Sequence, residues 1–196
     1  MSDFTAPFVA PPEPIPDFVT ACLEYARRAV GVELDFTADT LPVVDHYLSL
    51  ARASVQEKPA MTPVIAQAVG AYFGEVVRGR FPGFWRVPSG NVHDWAVCSR
   101  VVFLWFNPIG MAFDALFGGT EHDGPRSMLR VAAEDHDFLH ARLAVIPPLP
   151  EDQFFLLSTR FEVIEIAIEV LRARMEEGGY GGTVFGEDDY EPGALS

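Results

Sequence analysis

Lysine is nearly absent from this 196-residue chain: Lys58 is the only one, and arginine supplies the rest of the 14 basic residues. Against them stand 28 aspartates and glutamates, for a formal net charge of -14. A surface of that sign repels phosphate backbones, so no nucleic-acid partner is expected and a basic protein partner is. The arginine bias fits a GC-rich bacterial genome and carries no mechanism. Cysteine is equally scarce. Cys22 and Cys98 are far apart and no C-x-x-C occurs, so neither a zinc knuckle nor a thioredoxin-type redox pair is supported. Two isolated thiols suit a reducing cytosol, and the expected location is cytoplasmic. The opening stretch, MSDFTAPFVAPPEPIPD, has no basic region and no long apolar run, so no signal peptide is expected. Apolar runs such as Val101–Phe106 and Phe154–Leu157 are too short to span a bilayer, and no membrane partner is expected.

Reaction motifs are missing too. Ser89-Gly90-Asn91 and Gly118-Gly119-Thr120 are glycine-bearing loops, but neither is a G-x-x-x-x-G-K-[ST] phosphate cradle or a G-x-G-x-x-G turn. No G-x-S-x-G elbow occurs and neither cysteine has an obvious base. No cofactor is expected, and no catalytic residue is assigned.

What is present is a core. Apolar residues make up 49% of the chain, which excludes general disorder and allows one domain with trimmings. Residues 1–16 are rich in proline and read as an extended arm. Helical periods predict helices over 18–30, 40–54, 62–79, 126–143 and 152–177, with a short one ending at Phe117. Phe18, Cys22, Tyr25 and Ala29 are the expected buried stripe of the first. Gly70 and Gly74 lie four apart in the third, where they permit close approach to a neighbour. Period-two alternation predicts three short antiparallel strands over 84–88, 93–98 and 101–106. From Gly178 the chain turns glycine-rich and acidic, and 178–196 is expected to be a flexible acidic tail. The predicted fold is α+β: a mostly helical single domain, 17–177, with a small three-stranded antiparallel sheet packed on helices.

Three constellations carry candidate chemistry. His136-Asp137-Phe138-Leu139-His140 places two histidines four apart on a helix, where they can share one metal ion. Glu165 or Glu162 of the last helix is the candidate third ligand. Aspartate stands where the zinc protease motif has glutamate, and the acidic surroundings suit a solvated helix face, so no metal is assigned and a metal-dependent hydrolase is an alternative. Trp85, Trp95 and Trp105 fall one per predicted strand, which makes a small-molecule module on the sheet a second alternative. Trp85, flanked by Phe84 and Arg86, is the candidate for exposure. Glu162, Glu165, Glu169 and Glu176 put carboxylates along one side of the last helix, a solvated face or a docking stripe for a basic protein. Arg78, Arg80, Arg86 and Arg100 form the opposite feature at the helix-to-sheet junction.

The stretch Gly70–Pro108 carries a resemblance. It has a helix with G-x-x-x-G-E (Gly70, Gly74, Glu75), a tryptophan about ten residues later (Trp85), short strands, and an apolar strand closing on Pro108. In this it resembles an uncharacterised domain family common in bacterial genomes, over about a quarter of the chain. That family has no established chemistry, and some of its relatives look like immunity or accessory proteins. The resemblance therefore implies a non-catalytic, immunity-like or accessory protein-binding domain. Glu162, Glu165 and Glu169 are the expected partner-binding carboxylates. Phe84 with Trp85, or Phe8 and Ile15 of the arm, are the expected apolar anchors.

Overall fold

The computed structural model describes residues 9–127, 129–145 and 149–191. Its centre is helix α3, Thr62–Arg80, which follows α1 (Ile15–Val30) and α2 (Leu41–Glu57). From Ile65 to Val77 nearly every α3 side chain is buried. The segment Pro59–Arg80 is long and apolar enough to cross a membrane by length and composition, but 67% of that window is buried inside the fold. Helix α1 packs on one side of α3, and α4 (Pro108–Phe117) on another. Asn107 caps α4 by accepting the Gly110 N–H at 3.0 Å, with Pro108 in the first turn where its missing N–H costs nothing. Helix α5 (Ala133–Leu143), the single turn α6 (Glu151–Phe154) and α7 (Leu157–Glu177) complete the helical layer.

A four-stranded antiparallel meander covers this layer, in the order β1 (Gly83–Arg86), β2 (Ala96–Ser99), β3 (Leu104–Phe106) and β4 (Arg130–Val131). Trp85 pairs with Val97, Val97 with Phe106, and Leu104 with Val131. Strand alternation sorts the side chains. Trp85, Val97, Leu104 and Phe106 join the main core. Phe84, Ala96, Cys98 and Trp105 face the other way, where Phe185 and Tyr190 cover them. The molecule is the expected α+β domain, mostly helical, with a small antiparallel sheet on helices.

Several details differ from the sequence expectation. Helix α1 begins at Ile15, so its buried stripe is Ile15, Val19, Cys22 and Ala26, while Ala29 is exposed. His93-Asp94 lies in a 3₁₀ turn, Val92–Asp94, and not in a strand; Asn91 accepts the His93 N–H and starts that turn. The helix expected over 126–143 starts only at Ala133. Before it, residues 125–127 run tightly over α4: a Cβ on Gly110 would lie 2.7 Å from the Arg126 carbonyl carbon. Next, Arg130 enters the sheet as the fourth strand, its guanidinium over the Trp105 ring at 5.0 Å. The long last helix is broken at Phe155-Leu156, because Asp45 of α2 caps a new start. Finally, the segment after Gly178, expected as a flexible tail, contributes the buried Tyr190. Its hydroxyl accepts the Leu104 N–H at 3.3 Å and donates to the Ser99 carbonyl at 2.6 Å. Of the arm, 1–8 lie outside the described residues; Ile15 is fully buried, so it is no free anchor.

The two α3 glycines are close-approach positions. A Cβ on Gly70 would sit 2.6 Å from the Ile109 Cα, and one on Gly74 would enter the Trp85 indole. Gly74→Ala is expected to destabilise by about 1–3 kcal/mol through overpacking. Gly90→Ala, which meets nothing within 4 Å, should stay within about 0.5 kcal/mol of wild type. Urea unfolding of both variants checks the contrast.

Candidate functional site

The arginine cluster at the end of α3 is structural at its centre. The Glu75 carboxylate accepts from the Trp85 indole N–H at 2.6 Å and from Arg78 Nη1 at 2.6 Å. Arg78 Nε donates to the Gly83 carbonyl at 3.3 Å, and Nη2 donates to the Val9 carbonyl of the arm. The Arg78 side chain is 2% exposed and that of Glu75 10%. Phe84 and Trp85 are 2% and 6% exposed, which corrects their assignment as a surface anchor. Trp85 was the candidate for exposure because arginine flanks it; instead Glu75 satisfies its N–H and Gly74 makes room for its ring. Trp95 is buried as well, donating to the Ser89 carbonyl at 2.7 Å. Trp105 is the half-buried one, on the outer sheet face. Phe185 and Tyr190 lie on that face, so it is not an open stacking platform.

Other buried polar groups are committed in the same way. Asp45 accepts the Leu157 N–H at 2.7 Å, the Ser158 N–H at 3.1 Å and the Ser158 hydroxyl at 2.7 Å. Burial raises its pKa above the ordinary 3.8, against the opposing pull of these hydrogen bonds. Asp114 of α4 gathers a second group that sequence spacing did not reveal. It accepts from His122 Nε2 at 2.9 Å and from the Ser127 hydroxyl. Arg160 Nη2 lies 3.5 Å away. A serine, a histidine and an aspartate meet here, but in the wrong order for nucleophilic catalysis. His122 Nδ1 accepts the Gly124 N–H at 3.1 Å, so Nε2 carries the proton that goes to Asp114. Ser127 donates to the aspartate and has no base. The set ties the 118–127 loop to α4 and α7. Arg160 stacks over Phe154 and Phe155 at 4.3 and 5.3 Å. Burial lowers its pKa, opposed by Asp114. Both cysteines are buried, and desolvation pushes each thiol up to about 12.

The alternative metal set His136, His140 and Glu165 is not brought together. Helix α5 turns Leu139 inward, while His136 and His140 are exposed. Glu165 is engaged elsewhere, 2.9 Å from the guanidinium of Arg80. Among the described residues no three His, Cys, Asp or Glu side chains are placed to hold an ion. The acidic row does form. Glu162 and Glu169 are exposed and Glu165 half-buried, on the side of α7 away from its core stripe of Phe161, Ile164, Ile168 and Leu171.

The loop between α1 and α2 carries a feature that no local motif marks. Phe36 is 42% exposed and has a φ of 65°, the one non-glycine residue at positive φ among those described. For an aromatic residue this is a strained backbone. Tyr72 accepts the Phe36 N–H at 3.1 Å, and its ring packs 5.3 Å from that of Phe36. Asp35 accepts from the Thr37 N–H at 2.9 Å and from the Thr37 and Thr40 hydroxyls at 2.6 and 3.2 Å. These hydrogen bonds, led by Thr37, hold the exposed Asp35 carboxyl below the usual range. The Phe36 carbonyl lies 3.9 Å from the position of a Cβ on Gly79. The next residue, Arg80, pairs with Glu165 of the acidic row.

A cleft of about 680 Å³ opens on the opposite flank of α7. Leu171 and Met175 of α7 and Val102 of the turn between β2 and β3 line it. Phe103, Tyr180 and Phe185 add aromatic surface. Glu134, Asp135 and Arg174 supply its charged side chains. Arg174 Nη1 lies 3.1 Å from Asp135 Oδ1, an ion pair outside hydrogen-bond geometry, and its guanidinium covers the Phe138 ring at 4.5 Å. Burial raises the Asp135 pKa and Arg174 opposes the shift.

Compared with known protein families, with curated proteins and with solved structures, the chain matches none.

Two outcomes test the structural roles. Asp45→Ala removes the α7 cap and should cost about 1–2 kcal/mol in urea unfolding. A carboxyl whose pKa is raised on folding stabilises below its unfolded pKa and loses that contribution as pH rises through the folded pKa. The stability of wild type relative to Asp45→Asn should therefore be greatest at acid pH and decline as pH rises above the ordinary carboxylate value of 3.8. Separately, the native protein at pH 8 should leave both thiols unmodified by a thiol reagent, and denaturant should release both; prompt reaction of the folded protein would contradict the burial of Cys22 and Cys98.

Proposed function

We propose that the protein is a non-catalytic cytoplasmic binding protein for a basic protein partner, in the manner of an immunity or accessory factor. The observation that carries this reading is Phe36. A partly exposed aromatic residue is held at a strained φ of 65°, and hydrogen bonds to Tyr72 and Asp35 fix its loop. Strain maintained at an exposed residue is a mark of function. Phe36 replaces Trp85 as the apolar anchor that a specific partner requires, since charge alone gives little affinity. Glu162, Glu165 and Glu169 line one side of α7 on a chain of net charge -14, which steers a basic partner toward the molecule. The commitment of Glu75, Arg78, Asp45, Asp114, His122 and Ser127 to structural bonds favours binding over catalysis.

The test uses affinity capture from the native host, followed by kinetics with the captured partner. Two variants keep the fold: a Glu162→Lys/Glu165→Lys/Glu169→Lys charge reversal, and Phe36→Asn, since asparagine tolerates positive φ. The charge reversal should slow association about tenfold at low salt, and the difference should vanish near 1 M salt, where the Debye length is about 3 Å. Phe36→Asn should speed dissociation with little change in the association rate. A partner that binds both variants as it binds wild type would sink the reading.

A further inference from the structure

The cleft between α5, α7 and the 178–185 segment has the chemistry of a cation site. Its volume of about 680 Å³ lies within the range of small-molecule sites, roughly 300–1,000 Å³. Its walls are apolar and aromatic. Phe103 and Phe185 meet edge to face at 5.7 Å, and Tyr180, 69% exposed, stands at the mouth. Aromatic faces attract cations through their quadrupoles.

The charges decide the sign of the ligand. Arg174 is already paired with Asp135 and stacked on Phe138. Glu134 is exposed and adds a second carboxylate. The start of α5 and the end of α7 both border the cleft, through Ala133 and Gly178, and their dipole ends, about +0.5 and -0.5 charge, offset each other. What remains is one negative charge in excess, on a strongly acidic chain. An anion would find Arg174 neutralised and Glu134 opposed to it. A cation would find a carboxylate and aromatic faces.

We propose that this cleft binds a small organic cation, a primary or quaternary ammonium carried on an apolar body, with Glu134 as counter-charge and Phe103, Tyr180 and Phe185 against the cationic head. This goes beyond the protein-docking reading, whose carboxylates lie on the other flank of α7.

The full chain is titrated with three probes of one shape: phenethylammonium, phenethyl alcohol and phenylpropionate. Calorimetry measures affinity, and amide chemical shifts locate the site. The ammonium should bind about tenfold or more tighter than either analogue, with shifts centred on Tyr180 and Phe185. Glu134→Gln and Tyr180→Ala change exposed side chains, so the fold should survive them. Each should weaken the ammonium about three- to tenfold, and Glu134→Gln should leave the alcohol unaffected. Tighter binding of phenylpropionate would show that Arg174 rules the cleft and would overturn the proposal. Equal binding of ammonium and alcohol would reduce the cleft to an apolar slot and overturn it too. So would the absence of binding by phenethylammonium at millimolar concentration, or shifts that map elsewhere.

Discussion

The carboxylate of Glu75, shared by the Trp85 indole and the Arg78 guanidinium, joins the helical layer to the sheet. Buried ion pairs are weak evidence for net stability, but leaving either partner alone in the interior is costly. The geometry here lets Glu75 receive two donors while Arg78 reaches two backbone carbonyls, so the charges are paired and hydrogen-bonded. That arrangement depends on Gly74. Only a residue without a Cβ lets the Trp85 ring lie against α3 within reach of Glu75. Once Trp85 is seated, β1 is oriented, and the register Trp85–Val97–Phe106 carries that orientation across the meander.

The same economy governs the other buried polar residues. Asp45 lies within α2 but serves as the cap of α7, which explains why the last helix starts at Leu157. Asp114 collects a hydroxyl, an imidazole and a guanidinium to fix a loop that its own backbone would leave open. Tyr190 brings a hydroxyl from the C-terminal segment to the backbone turn between β2 and β3, near Ser99, Val102 and Leu104. In each case one polar side chain satisfies several backbone or side-chain groups far away in sequence. Such groups are specific because the interior offers them no alternative partner.

Local chemistry was legible in the sequence, and long-range chemistry was not. The helical periods located α2 and α3, with only small shifts at their ends, because their apolar stripes repeat over four turns or more. The glycine pair announced close packing, and Asn107-Pro108 announced a helix start. The α1 stripe was misplaced because Phe18, Tyr25 and Ala29 are apolar enough to pass for core, while Ile15 sits behind prolines that suggested an arm. Strand β4 has two residues and no period of its own; only its pairing with β3 reveals it. Trp85 looks exposed because Arg86 follows it, whereas its N–H is met by Glu75 and its ring by the space over Gly74. Nothing local marks Phe36 as a residue of positive φ. Positive φ in a phenylalanine is imposed by Tyr72 and Asp35, and no rule of propensity would place it there.

Helix α7 shows how a core can leave two different surfaces on one element. Its buried stripe faces α2, α4 and the sheet side. At about 100° per residue, Glu162, Glu165 and Glu169 fall on one flank of that stripe, and Arg174 and Gly178 on the other. The first flank has Arg80 as a neighbour and is open and convex, as an incoming protein surface requires. The second is roofed by α5 and the 178–185 segment and is concave, as a small ligand requires. Both are acidic, but the acid acts at different ranges. On the convex flank it works through the field over a Debye length and governs encounter. In the cleft it works within a few ångströms, where aromatic walls lower the local dielectric and strengthen each contact with a cation. The shape left by the core, more than the sign of the charge, separates the two kinds of recognition.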